Sequence, residues 1–252
     1  MTPENILADL RITDALPVKA LLASTAQREE MTPLFLNEIE NFIAAPDDDK
    51  PLPSALFYIF HLLGQWRETE SYRPLARLLR SPPEQIDILF GDWITERAHR
   101  VMAAVFDGDP QPLIDIILDN GADPFVRSRM CETLAMAVLD GRLSKDHALN
   151  FLREAFDLIY PLENNFTWYG WQSAIAMLGF EELVPLVEEA FERGMIENDI
   201  LGFADFEDDL NKCRRYPGAP RGEDPNEFTL CGNVVEEMTI WFDAFRRESG
   251  DE

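Results

Sequence analysis

The chain has few of the residues that usually bind metals or form disulfide bonds. It contains three histidines and three cysteines in 252 residues. Cys131, Cys213 and Cys231 form no Cys-x-x-Cys pair, so the close ligand spacing of structural zinc sites is missing. Their odd number fits free thiols in a reducing compartment better than a disulfide framework. We therefore predict a cytoplasmic protein with no bound metal or cofactor.

The common catalytic motifs are also missing. There is no Gly-x-Ser-x-Gly, no glycine-rich phosphate loop and no His-Glu-x-x-His. A calcium loop beginning at Asp205 fails, because its sixth position is Leu210 and its twelfth is Tyr216, where glycine and glutamate are needed. These absences favour a protein without catalytic activity. An enzyme stays possible, since catalytic groups can meet only in the fold.

Basic residues are scarce. The 22 Lys and Arg face 47 Asp and Glu, which gives a formal net charge of −25. Such a charge repels nucleic-acid phosphates and anionic membrane surfaces, so we predict that the protein binds neither. No apolar run approaches the roughly 18 residues that a membrane-spanning helix needs. A basic partner remains compatible, although an acidic surface also serves solubility alone.

Helix openings that start with proline recur along the chain. They are Pro74-Leu75-Ala76, Pro112-Leu113-Ile114 and Pro185-Leu186-Val187. The first two prolines lie 38 positions apart and the last two 73, which is about two further units. A constant period of this length is typical of helix pairs that stack on one another.

Proline at the start of helices and glycine at their ends delimit most of the predicted elements. The predicted helices cover residues 3–10, 17–27, 32–44, 54–67, 72–80, 84–90, 93–107, 112–120, 124–140, 145–160, 167–178, 181–194 and 233–247. Thr32 is the expected cap of the third helix, Pro33 its first residue, and Asp92 the expected cap of the seventh. Residues 196–211 show a weaker pattern, and 216–232 read as a loop. No strand signal is convincing.

The stretch Asp123-Pro124-Phe125-Val126-Arg127, followed by small and apolar positions as far as Ala135, resembles the second helix of a HEAT-type repeat. The whole chain is also similar to a bacterial family of about this length that is catalogued only as a domain of unknown function. The similarity lies in Pro17-x-x-Ala20-Leu21, the Phe57–Trp66 helix, residues 123–135 and Trp168-Tyr169-Gly170-Trp171. It implies a HEAT-like α–α superhelix and no known activity. Some relatives carry a cysteine-rich zinc-binding tail, which this chain lacks, so no metal role carries over.

We therefore predict an all-α fold, a HEAT-like α–α superhelix. Residues 1–195 are expected to form the helical-repeat solenoid. Residues 196–252 are expected to add an acidic segment, a loop and a C-terminal helix that packs on the same domain as a cap or as a strap.

The aromatic run at 168–171 is the candidate binding site. On a helix Trp168 and Trp171 share a face, while Tyr169 lies about 100° round. Either the rings fill a gap between helices, or one of them is left exposed to anchor a partner. The acidic segment near residues 197–209 would favour a basic partner, and its candidate residues are Asp205, Glu207, Asp208 and Asp209.

His61 and His99 lie 38 positions apart, the same offset as the first two prolines. They are either helix-flank histidines on successive repeats or two of the ligands that a zinc site needs. The leading functional prediction is a non-enzymatic module that binds a protein or peptide on its concave face. The alternatives are a metal-assisted hydrolase with carboxylates in the groove and a nucleic-acid mimic that blocks a basic protein.

Overall fold

A computed structural model describes residues 1–12, 15–45, 54–91, 93–163, 165–197, 199, 201–220 and 224–249. These residues form α-helices, two short 3₁₀ helices and no strand, which confirms the all-α prediction. The α-helices are α1 (Pro3–Leu10), α2 (Val18–Ala26), α3 (Arg28–Ala44), α4 (Leu56–Trp66), α5 (Tyr72–Leu78), α6 (Pro83–Phe90), α7 (Trp93–Val105), α8 (Gln111–Leu118), α9 (Pro124–Leu139), α10 (Lys145–Leu158), α11 (Phe166–Leu178), α12 (Val184–Glu192), α13 (Phe203–Arg215) and α14 (Val234–Ser249). No helix in the described ranges combines the length and the apolar character needed to cross a bilayer.

The helices pack in two layers that follow chain order. In the first layer α2, α4, α7, α9, α11 and α13 each contact the next helix of the series. In the second layer α3 contacts α5, and α5 contacts α8. The layers meet where α3 packs on α4, α5 on α7 and α8 on α9. This order is compatible with stacked helix pairs; the HEAT-like and superhelical parts of the expectation, and its domain boundaries, stay predictions.

Neighbouring helices of the first layer run in the same direction. The second residue of α4, Phe57, packs edge-on against Trp93, the first residue of α7. Phe125 at the start of α9 lies against Phe166 at the start of α11, with ring centroids 4.0 Å apart. The starts of these four helices therefore lie along one edge of the layer.

The Asp-Pro-x-Val-Arg stretch has a local structural role in positioning α9. The carboxylate of Asp123 accepts hydrogen bonds from the backbone N–H groups of Phe125 (2.9 Å) and Val126 (3.1 Å), which caps the helix. Arg127 is buried, and its Nε donates to the carbonyl of Ile117 in α8 at 2.9 Å. The motif thus fixes the angle between α8 and α9.

Two helix predictions need correction. Helix α3 begins at Arg28, not at Pro33. Glu29 and Glu30 in its first turn favour the earlier start, although Pro33 inside the helix removes one hydrogen bond and crowds the carbonyl of Glu29. Residues 203–215 form a full helix, where only a weak pattern was expected. Phe206, Leu210 and Cys213 of this α13 are buried at helical spacing, between the acids that obscured the pattern. The expected cap Asp92 lies outside the described residues.

His61 is buried among aromatic rings in α4. Its ring centroid lies 3.6 Å from that of Trp93 and 4.8 Å from that of Phe57. The Nδ1 atom is 2.5 Å from the carbonyl oxygen of Phe57, which can only accept, so Nδ1 carries a proton. Burial, with a smaller effect from Arg97 and Arg100, lowers the pKa of His61 from 6.5 to about 3.

Gly170 sets the distance between α9 and α11. A Cβ atom at this position would lie 2.1 Å from the carbonyl oxygen of Ser128 and 2.5 Å from its Cα. Glycine costs an interior helix about 1 kcal/mol relative to alanine. The close approach of the two backbones explains why glycine occupies the position despite that cost.

The first prediction concerns Gly170→Ala. The added methyl group meets backbone atoms that cannot rotate away, so we expect the free energy of unfolding in urea to fall by about 3 kcal/mol. Gly64→Ala is the matched control, because a Cβ there lies 3.1 Å from the Val101 side chain and 3.3 Å from its Cα, contacts that a shift of a few tenths of an ångström relieves. A Gly170→Ala protein at least as stable as the Gly64→Ala protein would contradict the close contact.

The second prediction concerns pH. The unfolded chain protonates His61 below pH 6.5, whereas the native chain does so only near pH 3, so stability contributed by the neutral ring is lost as pH falls. Between pH 7 and pH 5 we expect the wild type to lose about 2 kcal/mol more than a His61→Phe variant. Urea unfolding of both proteins at several pH values measures the difference. Parallel pH profiles would show that His61 is not buried in neutral form.

Candidate functional site

The aromatic run at 168–171 is not an exposed partner site. Trp168 and Trp171 have no exposed surface, and their rings pack against Phe156 of α10. The indole Nε1 of Trp171 donates to the Leu152 carbonyl at 2.8 Å, and that of Trp168 to the Pro161 carbonyl at 3.2 Å. The two indoles therefore fill the space between α10 and α11. Of the two interpretations of this run, the burial of the indoles fits the filling of a gap between helices; the part of residues 168–171 in binding stays a prediction.

Tyr169 is also buried, but its side chain reaches the protein surface. Its ring packs on Phe166, with centroids 5.4 Å apart, and its hydroxyl oxygen accepts the backbone N–H of Glu197 at 3.0 Å. Burial raises the pKa of Tyr169, so the hydroxyl remains protonated. The contact holds the beginning of the acidic segment against the N-terminal end of α11.

The candidate carboxylates of the acidic segment lie on α13. Asp205 has a structural role, because its carboxylate accepts the Gly202 N–H at 2.8 Å and so caps the start of α13. Glu207 and Asp208 are exposed, and Asp209 is half-buried. Phe203 at the start of α13 packs against Phe206. The segment thus presents negative charge beside α11.

A surface that the sequence reading missed lies in the connection between α10 and α11. We call residues 158–166 the apolar turn; Asn164 within it is not described. Four large apolar side chains of the turn are between 38% and 60% exposed. They are Leu158, Tyr160, Leu162 and Phe166. The available signal was the persistence of large apolar residues beyond the helix end, where turns are usually polar.

Hydrogen bonds hold the apolar turn in one conformation. The side-chain amide of Asn165 donates to the carbonyls of Pro161 (3.0 Å) and Glu163 (3.2 Å), while its oxygen accepts the Thr167 N–H at 3.0 Å. Trp168 donates to the same Pro161 carbonyl. The exposed side chains are therefore carried on a fixed backbone.

A second candidate surface lies on α4 and α7, where the C-terminal part of the chain is bound. We call residues 224–242 the strap. Its helix, α14, contacts α2 and α4. The non-helical residues 224–233 cross α7. Arg100 of α7 is 2% exposed and binds the strap at several points. Its guanidinium donates to both carboxylate oxygens of Glu237, at 2.8 and 3.0 Å. It also donates to the Thr229 carbonyl at 2.8 Å.

The histidines do not form a metal site. His61 packs in the aromatic core of α4, whereas Nε2 of His99 lies 2.6 Å from the Glu227 carbonyl of the strap. Among the described residues no three His, Cys, Asp or Glu side chains lie close enough to hold a metal ion. Among the described residues the cysteines form no disulfide bond, and burial raises the pKa of the Cys131 thiol.

Comparison with known proteins places the chain in a family. A family model described as a protein of unknown function, DUF1186, matches residues 1–245. Uncharacterised proteins of Chlamydia trachomatis serovar D and Chlamydia muridarum are each 25% identical to this chain over 257 residues, which cover 99% of this chain and 99% and 100% of theirs. No solved structure matches it. Since the family model spans almost the entire sequence, as the resemblance implied, the chain belongs to the DUF1186 family.

Proposed function

We propose that the protein is a non-enzymatic binding module that receives a basic, amphipathic segment of a partner protein on the apolar turn. The observation that carries the proposal is the group of four exposed apolar side chains on one short, fixed connection. Exposed apolar patches of this kind are characteristic of protein–protein contact sites.

The fixed backbone of the turn favours binding. Ordering a mobile loop on association costs free energy, and a turn already held by Asn165 and Trp168 avoids most of that cost. Tyr160 is the most exposed of the four side chains, and tyrosine is enriched among residues that dominate interface energies. Phe166 extends the surface to Phe125 of α9.

Charge determines the kind of partner. Residues 154–166 contain Glu154, Asp157 and Glu163 and no basic residue, and residues 196–209 contain six acids and no basic residue. Arg193 lies over the Phe156 ring and pairs with Glu189, so its charge is partly balanced. A basic segment with an apolar face therefore matches both the apolar turn and its surroundings. Nothing described on the chain favours a metal-assisted hydrolase or a mimic of nucleic acid, and we do not propose either.

The third prediction tests the apolar turn with Leu162→Ser. We expect the protein to bind a synthetic amphipathic helix of Lys and Leu residues, and the substitution to weaken that binding about tenfold, because one buried leucine is removed from the contact. Isothermal titration calorimetry measures both affinities. The corresponding Glu–Leu peptide should not bind.

The matched control is Ile88→Ser. Ile88 is exposed on α6, its side chain has the same composition as leucine, and the substitution leaves the charge unchanged. We expect it to bind the Lys–Leu peptide as the wild type does. If Leu162→Ser and Ile88→Ser proteins bind the peptide equally well, charge alone attracts it and the apolar turn takes no part.

A further inference from the structure

The strap is bound in the manner of a separate peptide. Its non-helical residues 224–233 offer main-chain carbonyls to side chains of α7: Thr229 and Leu230 to Arg100, and Glu227 to His99. At the start of α14, the backbone N–H of Val234 donates to the side-chain oxygen of Gln65 in α4 at 2.6 Å. Recognition through main-chain groups and a few side chains is typical of peptide-binding surfaces.

Two side chains of the strap supply the specific contacts. The Glu237 carboxylate binds the Arg100 guanidinium through two oxygens, a geometry that is stronger and more selective than a single ion pair. One helical turn further on, Trp241 lies against Phe57, with ring centroids 6.1 Å apart. Glu and Trp four positions apart on a helix present both groups on the same face.

The strap is held mostly by partly buried side chains. Of its apolar residues, Val234 and Met238 are buried and Ile240 is exposed; the others are half-buried and pack against the core, namely Phe228, Leu230, Cys231, Val235, Trp241 and Phe242. Asp224 at the other end pairs with Arg97, and this ion pair is partly exposed. Segments with few buried contacts open at a lower free energy than the core of the same protein.

The groove beneath the strap is basic in an acidic protein. Arg97 and Arg100 lie on one side and Gln65 on the other. The packed rings of Phe57 and Trp93 form its aromatic surface. Arg100 is 2% exposed with the strap in place, so any segment that covers it as the strap does buries its charge, which is strongly unfavourable without a paired carboxylate. An occupant of the groove must therefore supply a carboxylate to Arg100.

We propose that the α4–α7 groove is a second protein-binding site, which the strap occupies within the chain and from which a partner helix with a carboxylate and a tryptophan four residues apart displaces it. The site lies on different helices from the apolar turn, and it selects an acidic aromatic partner where the turn selects a basic one. The strap reduces the affinity for such a partner by competing for the groove.

The experiment uses a fluorescent peptide with the sequence of residues 224–249, in which Cys231 is replaced by serine. Its binding to the full-length protein is followed by fluorescence anisotropy at physiological salt. In a Glu237→Gln/Trp241→Ala variant the strap no longer fills the groove, so the peptide is expected to bind about tenfold or more tightly than to the wild type. Adding Arg100→Met to this variant is expected to abolish binding.

Two controls separate this proposal from other effects. Ile240→Ala changes an exposed side chain of the same helix and should leave peptide binding at the wild-type level. Leu162→Ser alters the apolar turn and should also have no effect, so the two binding sites can fail independently. Circular dichroism verifies that each variant keeps its helix content.

A second measurement needs no variant of the strap. Cys231 is half-buried in the strap of the wild-type chain, and excess peptide is expected to raise its rate of labelling by a thiol reagent as the strap leaves. The proposal is overturned if the loosened variant binds the peptide no better than the wild type does. It is also overturned if saturating peptide leaves the labelling rate of Cys231 unchanged.

Discussion

The ion pair between buried Arg100 and half-buried Glu237 determines how the C-terminal strap is joined to α7. Arg100 is almost completely enclosed, and three strap residues accept hydrogen bonds from its guanidinium group. A guanidinium remains charged at every accessible pH, so it cannot avoid the cost of burial by losing its proton. The strap supplies the compensating carboxylate, and its position on α4 and α7 follows from that requirement.

The helix layer provides the frame in which Arg100 acts. Contacts from α4 through α7 and α9 to α11 place the helix starts along one edge, and Gly170 allows α11 to approach α9 at backbone distance. The same close packing encloses Trp168 and Trp171 and leaves the next apolar side chains, those of the apolar turn, outside. One layer therefore carries two surfaces of opposite character, an acidic apolar turn and a basic groove.

The sequence predicts what depends on local signals. Helix starts are marked by a proline near the first residue of α5, α8 and α12, and by Asp123 before α9. These signals can be read from the sequence because their effects are confined to one turn. Helix α13 was underestimated since acids surround its three buried residues, so that its pattern resembles a solvated segment.

The candidate site depends on distant contacts and was harder to predict. A run of three aromatic residues looks the same in sequence whether it is buried or exposed, and the cover over Trp168 and Trp171 comes from α10. The Arg100–Glu237 pair joins positions 137 residues apart. Nothing in the sequence around either residue distinguishes this pair from the many other pairings that the basic and acidic residues of the chain could form. The family match adds no activity that would have selected among them.

The most direct test of this account is amide hydrogen exchange of the full-length wild type and an Arg100→Met variant. If Arg100 holds the strap, residues 224–242 will exchange faster in the variant, while α9 and α11 keep their protection. Unchanged protection of the strap would contradict the account, and so would an equal loss of protection throughout the helix layer.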